Sequence, residues 1–137
     1  KPAWCVSFSL KKNGASVEYV EENGYIALSE KVCAGDKIEY ETDMPLRIIA
    51  SETFDKTKTD LFAVAKGPII LCLDSENGDL EKSYFLKTDE KGSAIAEKND
   101  KISYTVSTQD GNLKLTEYKS AGKNYYEPRD ISVWLKR

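Results

Sequence analysis

Histidine is missing altogether from these 137 residues. The commonest general base and the commonest metal ligand are therefore unavailable, and neither a Ser-His-Asp nor a Cys-His triad can be assembled within the chain. Cysteine is scarce: Cys5, Cys33 and Cys72 are an odd number, lie far apart and form no Cys-x-x-Cys pair. At least one of them must be free, a disulfide scaffold is unnecessary at this size, and without a Cys-x-x-Cys pair a zinc ribbon or finger is excluded. Charge of one sign is not concentrated either, because 20 basic and 23 acidic residues are interspersed to a net charge of −3. Without a basic cluster interleaved with aromatics there is no nucleic-acid face, and no apolar run is long enough to span a bilayer as a helix. No cofactor motif is present. The chain opens Lys1-Pro2-Ala3-Trp4 rather than on Met, as a piece trimmed from a larger protein would, and the sequence assigns no compartment.

What is present is a series of short alternating segments closed by turn residues. A chain of this length predicts one domain, residues 1–137, able to bury about two-thirds of its unfolded surface without staples. Asn13-Gly14 and Asn23-Gly24 favour the positive φ angles of tight hairpins, and Gly35-Asp36 leads into the alternating Lys37–Glu41. Ile102, Tyr104 and Val106 alternate with polar partners, Asp110-Gly111 marks another turn, and Ile131 to Leu135 alternate again. Helical periodicity is weak: Ser93–Lys98 reads as at most one helical turn, and Glu52–Asp60 as a loop or short helix. Long loops are expected at Ser51–Asp60, Ser75–Ser83 and Ser120–Asp130. The predicted fold is all-β, an antiparallel β-sandwich of jelly-roll type with little or no helix. In Leu61–Leu73 an apolar run is broken by Gly67-Pro68. Proline lacks an amide donor and is confined to strand starts, edges or bulges, so this pair predicts a kink or bulge between two strand segments, the second covered on both faces. Pro45 predicts a similar corner before Leu46–Ile49.

Candidate chemistry is thin. The carboxylates of Glu21-Glu22, Asp74 with Glu76, and Asp89-Glu90 fall among turn residues, where exposure leaves an acid with its ordinary pKa rather than a catalytic one. Asp74–Asp79 has the composition of a calcium loop but lacks its twelve-residue pattern and closing Glu, and reads as a turn. Cys72 sits in an apolar strand as core packing. Among the aromatics, Tyr40 and Tyr104 alternate like core residues. Tyr125 and Tyr126, in a polar loop with Arg129, are the surface candidates for ligand binding, and Trp4 joins them.

Six motifs in order resemble the C-terminal β-sandwich region of glycoside hydrolase family 127, the β-L-arabinofuranosidase-like proteins. They are Pro2-Ala3-Trp4 with Asn13-Gly14, Gly24-Tyr25-Ile26, Gly35-Asp36-Lys37-Ile38, Met44-Pro45-Leu46-Arg47, Val64–Ile70, and Tyr125-Tyr126 with Val133-Trp134-Leu135. The resemblance implies a larger parent whose upstream helical barrel carries the catalytic Glu and a zinc-bound Cys. The family's Glu-x-Cys and Cys-Cys motifs do not occur here, so no catalytic or metal residue carries over. Glu127-Pro128-Arg129 departs from the family's continuation after the Tyr pair. The implied role is a non-catalytic accessory domain whose partner is its own upstream catalytic domain, with a homo-oligomer interface as another use of its surface. A carbohydrate-binding module using exposed aromatics is the alternative.

Overall fold

The computed structural model describes residues 1–122 and 128–137. Every ladder between strands is antiparallel, and the only helical elements among the described residues are two three-residue 3-10 turns. The chain divides into two compact units, Lys1–Met44 and Pro45–Arg137. Pro45 opens the second unit, directly before a strand, where its missing amide costs no ladder bond.

In the first unit, β1 (Phe8–Lys12) lies between β2 (Ala15–Ser16) and β5 (Ile38–Thr42), while β3 (Tyr19–Glu22) and β4 (Tyr25–Leu28) form a separate hairpin. Both Asn-Gly pairs occupy two-residue turns with positive φ at both positions, 52° and 84° for Asn13-Gly14 and 51° and 81° for Asn23-Gly24. That is the type I′ geometry whose twist matches paired strands. Asn13 does more than turn the chain. Its backbone amide donates to the Lys37 carbonyl at 2.9 Å, its side-chain oxygen accepts from the Lys37 amide at 2.9 Å, and its side-chain amide donates to Asp36 at 2.8 Å. Asp36 also accepts from the Cys33 amide at 2.8 Å and faces the Lys12 ammonium at 3.2 Å. The Cys33 amide first, then Asn13 and Lys12, hold its carboxyl down to about 2. A depressed native pKa contributes stability above the unfolded value near ~4, and that contribution fades as pH falls toward 2. The midpoint of urea unfolding, followed at Tyr in the first unit, should fall between pH 5 and about pH 2.5, and Asp36→Ala should flatten that decline.

The second unit is built on a sheet curled into a half-barrel. Its path starts at β13 (Leu135–Lys136) and runs through β7 (Leu61–Lys66), β8 (Ile69–Asp74), β11 (Gly111–Glu117) and β10 (Ser103–Thr108) to β9 (Ala96–Lys98). β6 (Leu46–Ala50) pairs with β7, and β12 (Ile131–Ser132) with β8. Gly67-Pro68 is not a kink between collinear segments. Lys66 pairs with Ile69, so the two residues are the complete turn of the β7–β8 hairpin. Gly67 takes φ +55° at the first central position, as a type II′ turn requires, and proline's fixed φ suits the second, where the ladder needs no donor. β7 and β8 pair only beside this turn. Beyond it the C-terminal segment bends at Val133-Trp134 and supplies β12 to β8 and β13 to β7. Within Ser93–Lys98, where the sequence suggests at most one helical turn, Ala96–Lys98 is instead the edge strand β9, because its backbone groups are taken by β10.

Phe62, Val64, Leu71, Leu73, Tyr104, Val106, Leu113, Leu115 and Leu135 fill the inside of the curl, with Tyr84 entering from the long connection after β8. The Tyr84 hydroxyl donates to the Asp79 carbonyl at 2.9 Å, which satisfies its one polar atom inside an apolar core. Gly78 is glycine because a Cβ there would meet the Tyr84 hydroxyl at 3.0 Å and the methyls of Leu73 and Leu113 at 3.2 Å. Cys72 and Ala65 on the other face of β8 and β7 are buried too, so this pair of strands is covered on both sides as its unbroken apolar run predicts.

Candidate functional site

Of the sequence candidates, Trp4 and Arg129 are described, in different units of the chain. Tyr125 and Tyr126 lie outside the described residues. Arg129 belongs to the second unit, where its guanidinium faces the carboxylates of Glu76 at 2.5 Å and Asp74 at 3.7 Å. The Asp74 side chain is nearly buried and also caps its own turn, accepting from the Glu76 amide at 3.0 Å. Together with the Ser75 amide bonded to the Asp130 carbonyl, these contacts fasten the segment before β12 onto the end of β8. Asp74–Asp79 is thus a turn of side-chain caps, as its sequence suggests.

Among the described residues no three His, Cys, Asp or Glu side chains come together to hold a metal ion. Cys5 is buried in the first unit and donates to the Ser7 carbonyl at 3.1 Å, and Cys33 is exposed. Cys72 is buried in β8, donates to the Thr116 carbonyl at 3.4 Å, and burial followed by the nearby Asp74 charge pushes its thiol up to about 11. A metal ligand or nucleophile needs the opposite shift, toward thiolate. The three cysteines do not fit a zinc site.

Trp4 leads to the one surface feature of the first unit that stands apart. On β1 and β5 alternate residues share a face, and the register sets Leu10 opposite Tyr40 and Phe8 opposite Thr42. One face of this sheet therefore carries Phe8, Leu10, Ile38 and Tyr40, and the other carries Ser9, Lys11, Glu39 and Glu41. The apolar face is partly covered: Tyr19 of β3 meets Phe8 edge-on at 5.5 Å and its hydroxyl donates to the Phe8 carbonyl at 3.1 Å. The rest stays open as a concavity of about 460 Å³ lined by Trp4, Phe8, Tyr25, Leu28, Ile38 and Tyr40, among others. Tyr25 is 78% exposed and Tyr40 68%, the latter stacked on Phe8 with ring planes 16° apart and centroids at 6.1 Å. The expectation that Tyr40 is core therefore fails, whereas Tyr104, with the same local alternation, is buried. Alternation identifies which residues share a face but not whether that face is covered. Tyr25 and Ile38 escaped notice for the same reason. The signal that finds them is the size of the core beneath: in the whole first unit only Cys5, Leu10 and Val17 are buried apolar residues.

No protein-family model matches the chain, and neither does any curated protein sequence. Solved structures do match. A glycoside hydrolase superposes with a TM-score of 0.67 at 20% identity over 98% of this chain and 26% of its own. A GH127 β-arabinofuranosidase gives 0.70 at 24% identity over 95% and 23%, and a GH127 β-L-arabinofuranosidase from Geobacillus stearothermophilus T6 gives 0.62 at 16% over 99% and 25%. The fold is shared with about a quarter of these hydrolases. The likeness runs along essentially the whole chain, in agreement with the ordered motifs, and the chain spans about a quarter of the length of the structures it matches.

Proposed function

We propose that residues 1–137 act as one non-catalytic accessory domain of a longer glycoside hydrolase, supporting a catalytic region carried elsewhere in the same parent protein. The observation that carries this reading is the coverage: 98% of this chain is accounted for by 26% of a hydrolase chain. The chain's own chemistry agrees with it. Several of its carboxylates cap turns or pair with cations at the surface, as Glu21 does with Lys1 at 3.0 Å and Glu52 with Arg137 at 2.7 Å. A glycosidase instead needs two carboxyl groups facing one another across a cleft, one of them with a raised pKa. Among the described residues the carboxylates whose pKa moves, Asp36, Glu52, Asp55 and Asp100, all move down, held by hydrogen bonds that favour the ionised form.

The purified chain is expected to release no chromophore from aryl α- or β-L-arabinofuranosides above the buffer rate. The product of the complete reading frame is expected to hydrolyse one such glycoside. Turnover by the 137-residue chain alone, retained through successive purification steps, would overturn the proposal.

A further inference from the structure

The first unit has an apolar concavity but too little buried apolar surface beneath it. Forty-four residues with three buried apolar side chains lie at the size where a core no longer supports itself and help from another surface is needed. The exposed rings of Tyr25 and Tyr40, with Ile38 between them in the lining, form the contiguous apolar patch that marks an interaction site. Its chemistry selects the occupant. A sugar needs side-chain donors and acceptors placed around a ring platform, whereas this lining is mostly aliphatic and aromatic, its polar groups being Lys1, Thr42, the Tyr25 and Tyr40 hydroxyls and the Trp4 indole N–H. A second copy is disfavoured by shape, because two identical concavities facing each other across a two-fold axis enclose a void instead of packing. What fits is a convex apolar protein surface. The matched hydrolases have about three-quarters of their length outside the shared fold, so a parent of that kind has further chain from which such a segment can come.

We infer that the concavity lined by Trp4, Phe8, Tyr25, Leu28, Ile38 and Tyr40 is the seat for a convex apolar segment of the parent hydrolase's remaining chain. The inference rests on the accessory-domain reading and adds the face through which the domain docks. The opposite face of the same sheet, with Ser9, Lys11, Glu39 and Glu41, stays in water.

Hydroxyl-radical footprinting reads side-chain exposure directly and needs no substitution. The 137-residue chain and the product of the complete reading frame are labelled side by side, with Phe54 and Tyr118 of the second unit as references. Tyr25 and Tyr40 are expected to react readily in the chain alone and to lose reactivity about fivefold or more in the complete protein, as burial from a mostly exposed state requires. A complete protein in which Tyr25 and Tyr40 keep their reactivity would overturn the docking face and leave the accessory role standing. A reading frame that encodes nothing beyond this chain would overturn the accessory role itself. Concentration-dependent protection of these tyrosines in the chain alone would assign the face to a second copy, and protection by an arabinofuranosyl oligosaccharide would assign it to sugar. Either result would overturn the inference.

Discussion

Leu73→Ala is expected to cost the second unit about 2–5 kcal/mol, a large fraction of the stability of a domain of this size. Leu73 is fully buried near the C-terminal end of β8, and its neighbours cannot collapse into the space it leaves. β12 pairs with Leu73 itself and β11 with the adjacent Cys72, and a methyl of Leu73 lies 3.2 Å from where a Gly78 side chain would begin. Chemical denaturation followed by Trp134 fluorescence measures the loss. Phe54 packs edge-on against Trp134 at 6.1 Å beside β13, so the fluorophore reports on the closure of the sheet at β7. A change below about 1 kcal/mol would mean that the interior of the curl is not close-packed as described.

Tyr25→Ser is expected to behave oppositely in two settings. In the 137-residue chain the ring is mostly in water, so its removal should change stability by no more than about 0.5 kcal/mol. In the complete protein, with the ring seated against an apolar partner, the same substitution should cost about 1.5–3 kcal/mol, the ordinary value for a large side chain withdrawn from water. Paired unfolding curves of both proteins, with and without the substitution, give the comparison. Equal effects in the two settings would mean that nothing packs on Tyr25. Tyr40 is less clean for this purpose, since it also stacks on Phe8 within its own sheet.

The turns were the most legible part of the sequence, and the reason is local. Asn-Gly at positions 13 and 23 specifies two consecutive positive φ angles, a requirement contained within the two residues themselves. Gly67-Pro68 was read as a corner of the chain but as the wrong kind. Proline argues against the middle of a strand, but only the pairing of Lys66 with Ile69 shows that the strand has ended and reversed. Ala96–Lys98 was lost for a similar reason. Three residues carry no periodicity, and their strand exists because β10 offers an edge brought from elsewhere in the chain. The aromatic concavity was the least legible feature. Tyr40 and Tyr104 look alike in sequence, each flanked by polar neighbours, and differ in what the rest of the fold lays over them. Cys72 was legible because five consecutive apolar residues leave no solvent side to the strand. Of the surface candidates for ligand binding, Trp4 lines the concavity and Arg129 faces the carboxylates beside β8, which separates them into different units.

The size of the native protein decides whether this fold serves as a quarter of a larger hydrolase. An antibody raised against the 137-residue chain, used on extract of the native source, measures the size of the protein that contains it. At 26% of a matched chain, 15.4 kDa corresponds to about 60 kDa, and a single band near that size is the expected result. A native band at 15 kDa, with nothing larger, would contradict it.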